Sequence, residues 1–310
     1  MNSLETLRHA RETDNLGKQE YIEAIHSHHV ALFDYPAFIT GTDVESLNIV
    51  PEGVFARSRS QQIDLWLDPH DQHLVPCTLM NFRAYETAET EFLKLIAGND
   101  WTMIDIGANC GWYSLALARK FAGMTIHACE PISNTHNILL RNIRHNRLMN
   151  VHAHLIGFSD HESTIQFLHT PNCSGATSMV HAGQPASMGA LEKIACPCTT
   201  LDLFCAEHNI TPQLVKCDVE GAELLVIRGG LSILATHQPV ILIELLRKWA
   251  EKFGYHPNDV FAQLSALGYQ AFTIGLDGLQ HCSSINFTTT ETNFLFLHQN
   301  RHREIIQQWT

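Results

Sequence analysis

In Leu214-Val-Lys-Cys-Asp-Val-Glu-Gly-Ala-Glu223 an ammonium and two carboxylates fall at alternate positions of an apolar run. In an extended strand Lys216, Asp218 and Glu220 share one face, while Cys217 and Val219 take the other. Two acids are thereby crowded near the strand's carboxyl end with one cation beside them. Like charges at short range raise one pKa, which makes a carboxylate usable as a base near neutral pH. The same pair could coordinate a hard divalent cation. On a purely structural reading, Lys216 neutralises one acid, the other caps the helix opening at Gly221, and Glu223 complements its dipole. Paired acids at a strand end in a cleft are costly unless used, which favours function. Glu244, closing the apolar run from Pro239, reads instead as an ion-pair partner of Arg247 or Arg228.

A glycine-rich turn supplies a second set of groups. In Met103-Ile-Asp-Ile-Gly-Ala-Asn-Cys-Gly-Trp-Tyr113 a short apolar strand ends in an acid, and the turn after it opens an apolar helix. Backbone N–H groups and a carboxylate then meet at the carboxyl end of a parallel strand, where open α/β sheets bind ligands. A dinucleotide turn wants Gly-x-Gly-x-x-Gly. The matching positions are Gly107, Asn109 and Trp112, so only the first is kept. Asp105 suits a ligand with a cationic amino group, such as the methionine part of S-adenosylmethionine. The structural alternative is an αβ turn with Gly107 and Gly111 at tight backbone positions. Glu130, in His127-Ala-Cys-Glu-Pro131, follows Asp105 by about one βαβ unit, where an acid accepts hydrogen bonds from a ribose diol. Its structural alternative is a helix N-terminal carboxylate with Pro131 at the first helical position. Turn and acid at matched strand ends are more specific together than singly.

These groups need a sheet to align them, and the chain alternates strand and helix from residue 102 onward. Strands are expected at 102–106, 124–129, 151–157, 214–219, 240–245, 269–274 and 293–297, with helices near 112–121, 132–146, 200–208, 222–229 and 258–267. No helix separates the last two strands, which should pair antiparallel at one edge. The fold class expected is α/β, a doubly wound and mostly parallel sheet with one antiparallel edge hairpin. Residues 163–198 interrupt the rhythm as an insertion, with a short strand at 164–168 and a Gly/Ser/Pro-rich loop of a length more often functional or mobile than inert. Ahead of the 81–310 domain, residues 1–80 read as a small α+β extension. It comprises a polar amphipathic helix over 3–30 and short strands at 54–56, 63–67 and 73–79. Residues 86–96 return to helical periodicity.

Composition narrows the class. At 310 residues, with 45% hydrophobic and 17% charged, the chain matches a globular protein with ample core. A net charge of −12 argues against a nucleic-acid or anionic-membrane partner. No apolar run reaches the roughly 18 residues of a membrane span. The start lacks the basic and apolar regions of a signal peptide. Nine cysteines, odd in number and mostly inside apolar strands, fit reduced core thiols and a cytoplasmic location. The twenty histidines are mostly scattered, and neither His28-His29 nor Cys196-Pro-Cys198 has a matching half at zinc-site spacing. Structural or solvated roles are expected for them.

Asp105-Ile-Gly-Ala-Asn-Cys-Gly-Trp-Tyr-Ser, Cys129-Glu-Pro, Lys216-Cys-Asp-Val-Glu-Gly-Ala-Glu and Pro239-Val-Ile-Leu-Ile-Glu, in that order and spacing, resemble the FkbM-type methyltransferases over about residues 80–275. Cys110 and Cys217 depart from the aliphatic residues more usual there, both small apolar replacements. The resemblance implies a class I S-adenosylmethionine-dependent fold and methyl transfer, usually to a hydroxyl of a sugar, glycan or secondary metabolite. It places Asp105, Gly107, Asn109 and Gly111 around the methionine part, Glu130 at the ribose and Ser159 near the adenine. Asp218 and Glu220 become the acidic strand end, one of them the base, assisted or replaced by a divalent cation. The acceptor, a small molecule or glycan, would lie against the extension and the insertion, where Asn172-Cys-Ser-Gly-Ala-Thr-Ser178 suits a closing loop. Two alternatives stand beside this: a non-catalytic S-adenosylmethionine-binding module, which the intact 216–223 segment disfavours, and a nicotinamide-dependent dehydrogenase, disfavoured by Asn109 and Trp112. A homodimer through the extension is left open.

Overall fold

The computed structural model describes residues 3–169, 178–179, 192–275 and 278–310. The N-terminal helix expected over 3–30 is two helices, α1 (Ser3–Glu12) and α2 (Lys18–His29), followed by α3 (Tyr35–Ile39). The break falls where Asp14 turns left-handed at φ 54° and Gly17 caps α2 in extended conformation. Three strands form a small antiparallel sheet in the order β1 (Val44–Val50), β2 (Gly53–Ser58), β3 (Asp64–Trp66). The first of these has polar residues on both faces and escaped the sequence reading. The strand expected at 73–79 is instead a helix, α4 (Val75–Phe82), with Pro76 in its first turn, where a missing N–H costs nothing. A short apolar run carries too little periodicity to separate the two states. Then α5 (Thr87–Ile96) leads into the main domain.

The small sheet is docked rather than free. Asn142 and Asn146 accept the backbone N–H groups of Trp66 and Asp64 through their side-chain oxygens at 2.8 and 2.9 Å. Val44, Ala56 and Leu65 share one buried cluster with Met103, Leu115 and Leu139 of the main domain.

The main domain runs β4 (Thr102–Ile106), α6 (Trp112–Lys120), β5 (Thr125–Cys129), α7 (Ser133–Asn146) and β6 (Val151–His154). A side sheet follows, with β7 (Gly157–Phe158), β8 (Ser163–His169), β9 (Ser178–Met179) and β10 (Glu192–Thr199) in the order β7-β10-β8-β9. The proposed closing loop, at 172–177, lies outside the described residues. The chain resumes with α8 (Leu201–His208), β11 (Leu214–Cys217), α9 (Glu223–Arg228), α10 (Leu231–His237), β12 (Val240–Glu244), α11 (Arg247–Ala250) and α12 (Pro257–Ala266). It ends with β13 (Tyr269–Gly275), β14 (Gly278–His281), β15 (Asn293–His298) and α13 (Arg303–Trp309).

The central sheet is eight-stranded, ordered β14-β13-β15-β12-β11-β4-β5-β6, with β6, β5, β4, β11 and β12 parallel. The expected pairing of 269–274 with 293–297 occurs and is antiparallel. Its placement differs from the expectation, because β15 slots between β13 and β12, antiparallel to both, and the edge belongs to the β13–β14 hairpin. β15 reads almost wholly apolar because its two faces are buried in separate cores, Leu295 and Leu297 in one and Phe294 and Phe296 in the other, as an inner strand requires. Alternate residues feed separate cores: Met103, Leu214 and Leu242 on one face, Ile104, Val215 and Ile243 on the other. Strand order reverses beside β4, which places a crevice at the carboxyl ends of β4 and β11.

The eight described cysteines are all free. His127, His152 and His154 share a face at the β5–β6 edge with His208 of α8, and Nδ1 of His127 lies 3.1 Å from Nε2 of His154. Among the described residues no helix is long and apolar enough to cross a membrane.

Candidate active site

The crevice is formed by two turns that need their glycines. Gly107 follows β4 at φ +77°, and a Cβ there would collide with the Asp218 carbonyl oxygen. Any side chain would therefore push β4 and β11 apart. Asn109 is also left-handed at φ 50°, a conformation asparagine tolerates. Gly111, at φ +95°, opens α6 where a Cβ would strike Leu115 and Leu139.

Five residues picked from sequence line the resulting cavity: Gly107, Asn109, Glu130, Asp218 and Glu220. Three do not. Asp105 lies beneath the floor, 1% exposed, with its Oδ2 accepting from the Ser114 hydroxyl at 2.6 Å. Gly111 packs against the helix core, and buried Ser159 directs its hydroxyl to Asp160 at 3.3 Å. These three sit behind the lining, and Lys216 links Asp105 to the crevice.

Glu130, directly after β5, has both oxygens engaged by backbone, accepting from the N–H of Asn109 at 3.1 Å and of Ile132 at 3.0 Å. Burial pushes its pKa up to about 7 against the pull of those two donors. Each carboxylate oxygen keeps a lone pair for a diol. Pro131, Ile156, Phe158 and Phe167 make the neighbouring wall apolar.

The opposite half is acidic. The Lys216 Nζ sits 3.2 Å from Asp218 Oδ2 and 3.9 Å from Asp105 Oδ1, and donates to the Gly107 carbonyl at 3.3 Å. These carboxylates hold it charged despite burial, which alone would lower its pKa. With Lys216 on Asp218, the cap that the structural reading asked of the other acid is made instead by Glu223, whose Oε1 accepts from the N–H of Gly221 at 2.9 Å while Oε2 accepts from Tyr255. Glu220 is thus freed. Its backbone is left-handed at φ 53°, and its Oε2 is buried without a hydrogen-bond partner. Burial, then Asp218 and Glu223, hold its pKa well above the carboxylate range.

Glu244 does not make the expected ion pair with Arg247 or Arg228. Arg247 lies over the Phe287 ring, and Glu244 turns into the cavity, where burial and then Asp218, Glu220 and Glu86 raise its pKa strongly. Carboxylate oxygens of Asp218, Glu220 and Glu244 fall within 4.8 Å of one another. The sequence reading also passed over Tyr85, Glu86, Trp112 and Tyr113, all in the lining. Glu86 adopts a left-handed N-cap conformation ahead of α5, and its Oε1 accepts from Asn293 Nδ2 at 3.2 Å. Only the glutamate's place just before a helix hinted at it. The partner is a strand distant in sequence.

The pattern described as the methyltransferase FkbM domain matches residues 105–271, more than half of the chain. The chain belongs to the FkbM methyltransferase family. "Methyltransferase 1" of Beauveria bassiana is 26% identical over 146 residues, covering 42% of this chain and 59% of that protein. "Methyltransferase sdnD" of Sordaria araneosa is 26% identical over 191 residues, covering 53% and 70%. A solved FkbM methyltransferase from Methylobacillus flagellatus KT superposes with a TM-score of 0.42 at 15% identity, over 74% of this chain and 55% of the other. The chain thus spans under two thirds of the Beauveria and Methylobacillus proteins.

Within the FkbM domain lie the glycine turn, Glu130 and the 216–223 acids. Glu86 and Asn293, which complete the acidic half, come from flanking segments on either side of it.

Proposed function

We propose that this FkbM-family protein is an S-adenosylmethionine-dependent O-methyltransferase acting on a hydroxyl of a sugar, glycan or secondary metabolite. The observation that carries the reading is the Glu220 carboxylate. It lines the crevice beside the Gly107 turn, with one oxygen buried and unpartnered and its proton affinity raised. A hydroxyl attacking in an SN2 step needs a nearby acceptor for its proton, and Glu220 suits that task once the positive charge of a bound cofactor beside it favours its anion. Asp218 is the weaker candidate, because Lys216 already engages its Oδ2 at 3.2 Å.

The donor set fits the cofactor. Glu130 offers lone pairs to a ribose diol, and the Pro131–Phe158 wall offers an apolar face to a base. S-adenosylmethionine, when bound, supplies an electrophilic methyl group. The chain's own part is to hold donor and acceptor in line, to exclude water and to take the proton. Thermal-shift titration tests the cofactor, since a ligand selective for the folded state raises its stability. S-adenosylhomocysteine should raise Tm and NAD should not. Incubation of a hydroxylated-metabolite extract with methyl-labelled cofactor then tests the transfer. Label appearing only on nitrogen or carbon would refute O-methylation.

A divalent cation held by Asp218, Glu220 and Glu244 is a second reading, favoured by the 4.8 Å clustering of their oxygens. Full activity in EDTA would remove it.

A further inference from the structure

Four carboxylates line the reacting end of the crevice, Glu86, Asp218, Glu220 and Glu244, and among the described lining residues Lys216 is the one cation. That lysine is already committed, to Asp218, to Asp105 and to the Gly107 carbonyl. Glu86, Glu220 and Glu244 make no ion pair among the described residues; burial and mutual repulsion favour their neutral forms in the empty crevice, and a ligand that brings positive charge there restores the anions and is held by them. The two ends of the crevice differ in this respect. At the β5 end, Glu130 is satisfied by two backbone N–H groups and flanked by apolar residues. At the β11–β12 end the acids converge from the strand ends, and Glu86 closes the group from α5.

We infer that this end of the site is a cation-selecting box, in which Glu86 and Glu244 make affinity depend on positive charge at the reacting atom. The inference rests on the cofactor reading above and goes beyond it. A ligand carrying a sulfonium or ammonium there supplies the counter-charge that the lysine cannot. A ligand with a neutral thioether at the same place does not, although every other contact is the same. The box therefore separates the methyl donor from its spent product by charge, and favours exchange of one for the other after each turnover. By the same argument it disfavours acceptors that carry a phosphate or carboxylate beside the reacting hydroxyl.

The test is calorimetric binding in EDTA of three ligands to the full chain. These are S-adenosylmethionine, S-adenosylhomocysteine, and the analogue whose transferable methyl-sulfonium is replaced by a carbon bearing an ammonium. Wild type should bind both cationic ligands about tenfold or more tightly than the neutral one, a ratio equal to about 1.4 kcal/mol. In Glu86→Gln and Glu244→Gln the ratio should move towards one through weaker binding of the cations, with affinity for S-adenosylhomocysteine kept. Retention of that affinity also shows that the variants are folded, and Gln at residue 86 can still accept from Asn293. Equal affinities for all three ligands in wild type would overturn the charge selection while leaving the cofactor reading intact. Binding of none of them would overturn both.

Discussion

Asp105 and Lys216 occupy opposed positions on neighbouring parallel strands, so that a carboxylate and an ammonium face one another 3.9 Å apart beneath the crevice. The lysine then reaches up to Asp218 at 3.2 Å, and one buried cation ties β4 and β11 to the acidic end of the site.

Removing that cation should damage the fold as well as the site. Lys216→Met leaves Asp105, 1% exposed, as a buried acid without its counter-ion, and such losses cost about 3–5 kcal/mol. Adding Asp105→Asn should recover part of the loss, since the uncompensated charge goes with it. Urea unfolding of the single and double variants measures both. A double variant no more stable than Lys216→Met would mean that the pair is not energetically coupled.

Glu220→Gln keeps shape and hydrogen-bonding capacity but removes the base. With an acceptor in hand, kcat should fall on the order of 100-fold or more, as for other lost general bases. Affinity for S-adenosylhomocysteine should change little. Near-full turnover would pass the role of base to Asp218, tested in the same assay by Asp218→Asn.

Gly107→Ala should be among the most damaging single changes in the crevice. The turn requires φ +77°, and the new methyl would collide with the Asp218 carbonyl, so β4 and β11 must separate. Loss of at least about 1–3 kcal/mol is expected from the backbone conformation alone, together with loss of S-adenosylhomocysteine binding. A thermal melt with and without the ligand reads both, and an unchanged ligand shift would count against the turn's role.

The histidine edge should make stability depend on pH. Burial, reinforced by neighbouring imidazoles, lowers His127 and His154 from 6.5 to about 4. The unfolded chain takes up these protons near pH 6.5 and the folded chain only near 4, so their contribution to stability falls as pH drops through that window and falls no further below it. Denaturation of wild type and His127→Gln/His154→Gln between pH 7 and about 4 isolates their part from that of raised acids such as Glu130, which acts in the opposite direction. Parallel profiles would show that the two imidazoles do not titrate differently on folding.

Features that depend on neighbours along the chain were already legible in the amino-acid order. Hydrophobic runs closing on an acid located the inner strands β4, β11 and β12, because a strand buried on both faces must be largely apolar. The left-handed turns at Gly107 and Gly111 were legible because few residues other than glycine adopt them. Alternation put Lys216 and Asp218 on one face, and their 3.2 Å contact follows from it. Glu220 was chosen by the same alternation, but the strand ends at Cys217, and the side chain is aimed by a left-handed turn instead.

Tertiary structure decided what depends on register and strand order. Nothing local told β15 to slot between β12 and β13, since an apolar strand can pair on either side. Nothing local opposed Asp105 to Lys216 or turned Ser159 from the crevice. The expected Glu244 ion pair came from reading charges nearby in sequence, whereas the fold brought Glu86, Asp218 and Glu220 to bear on that side chain and carried Arg247 to Phe287. Periodicity reports the face on which a residue lies. Which residues from other elements share that face is fixed only when the sheet assembles.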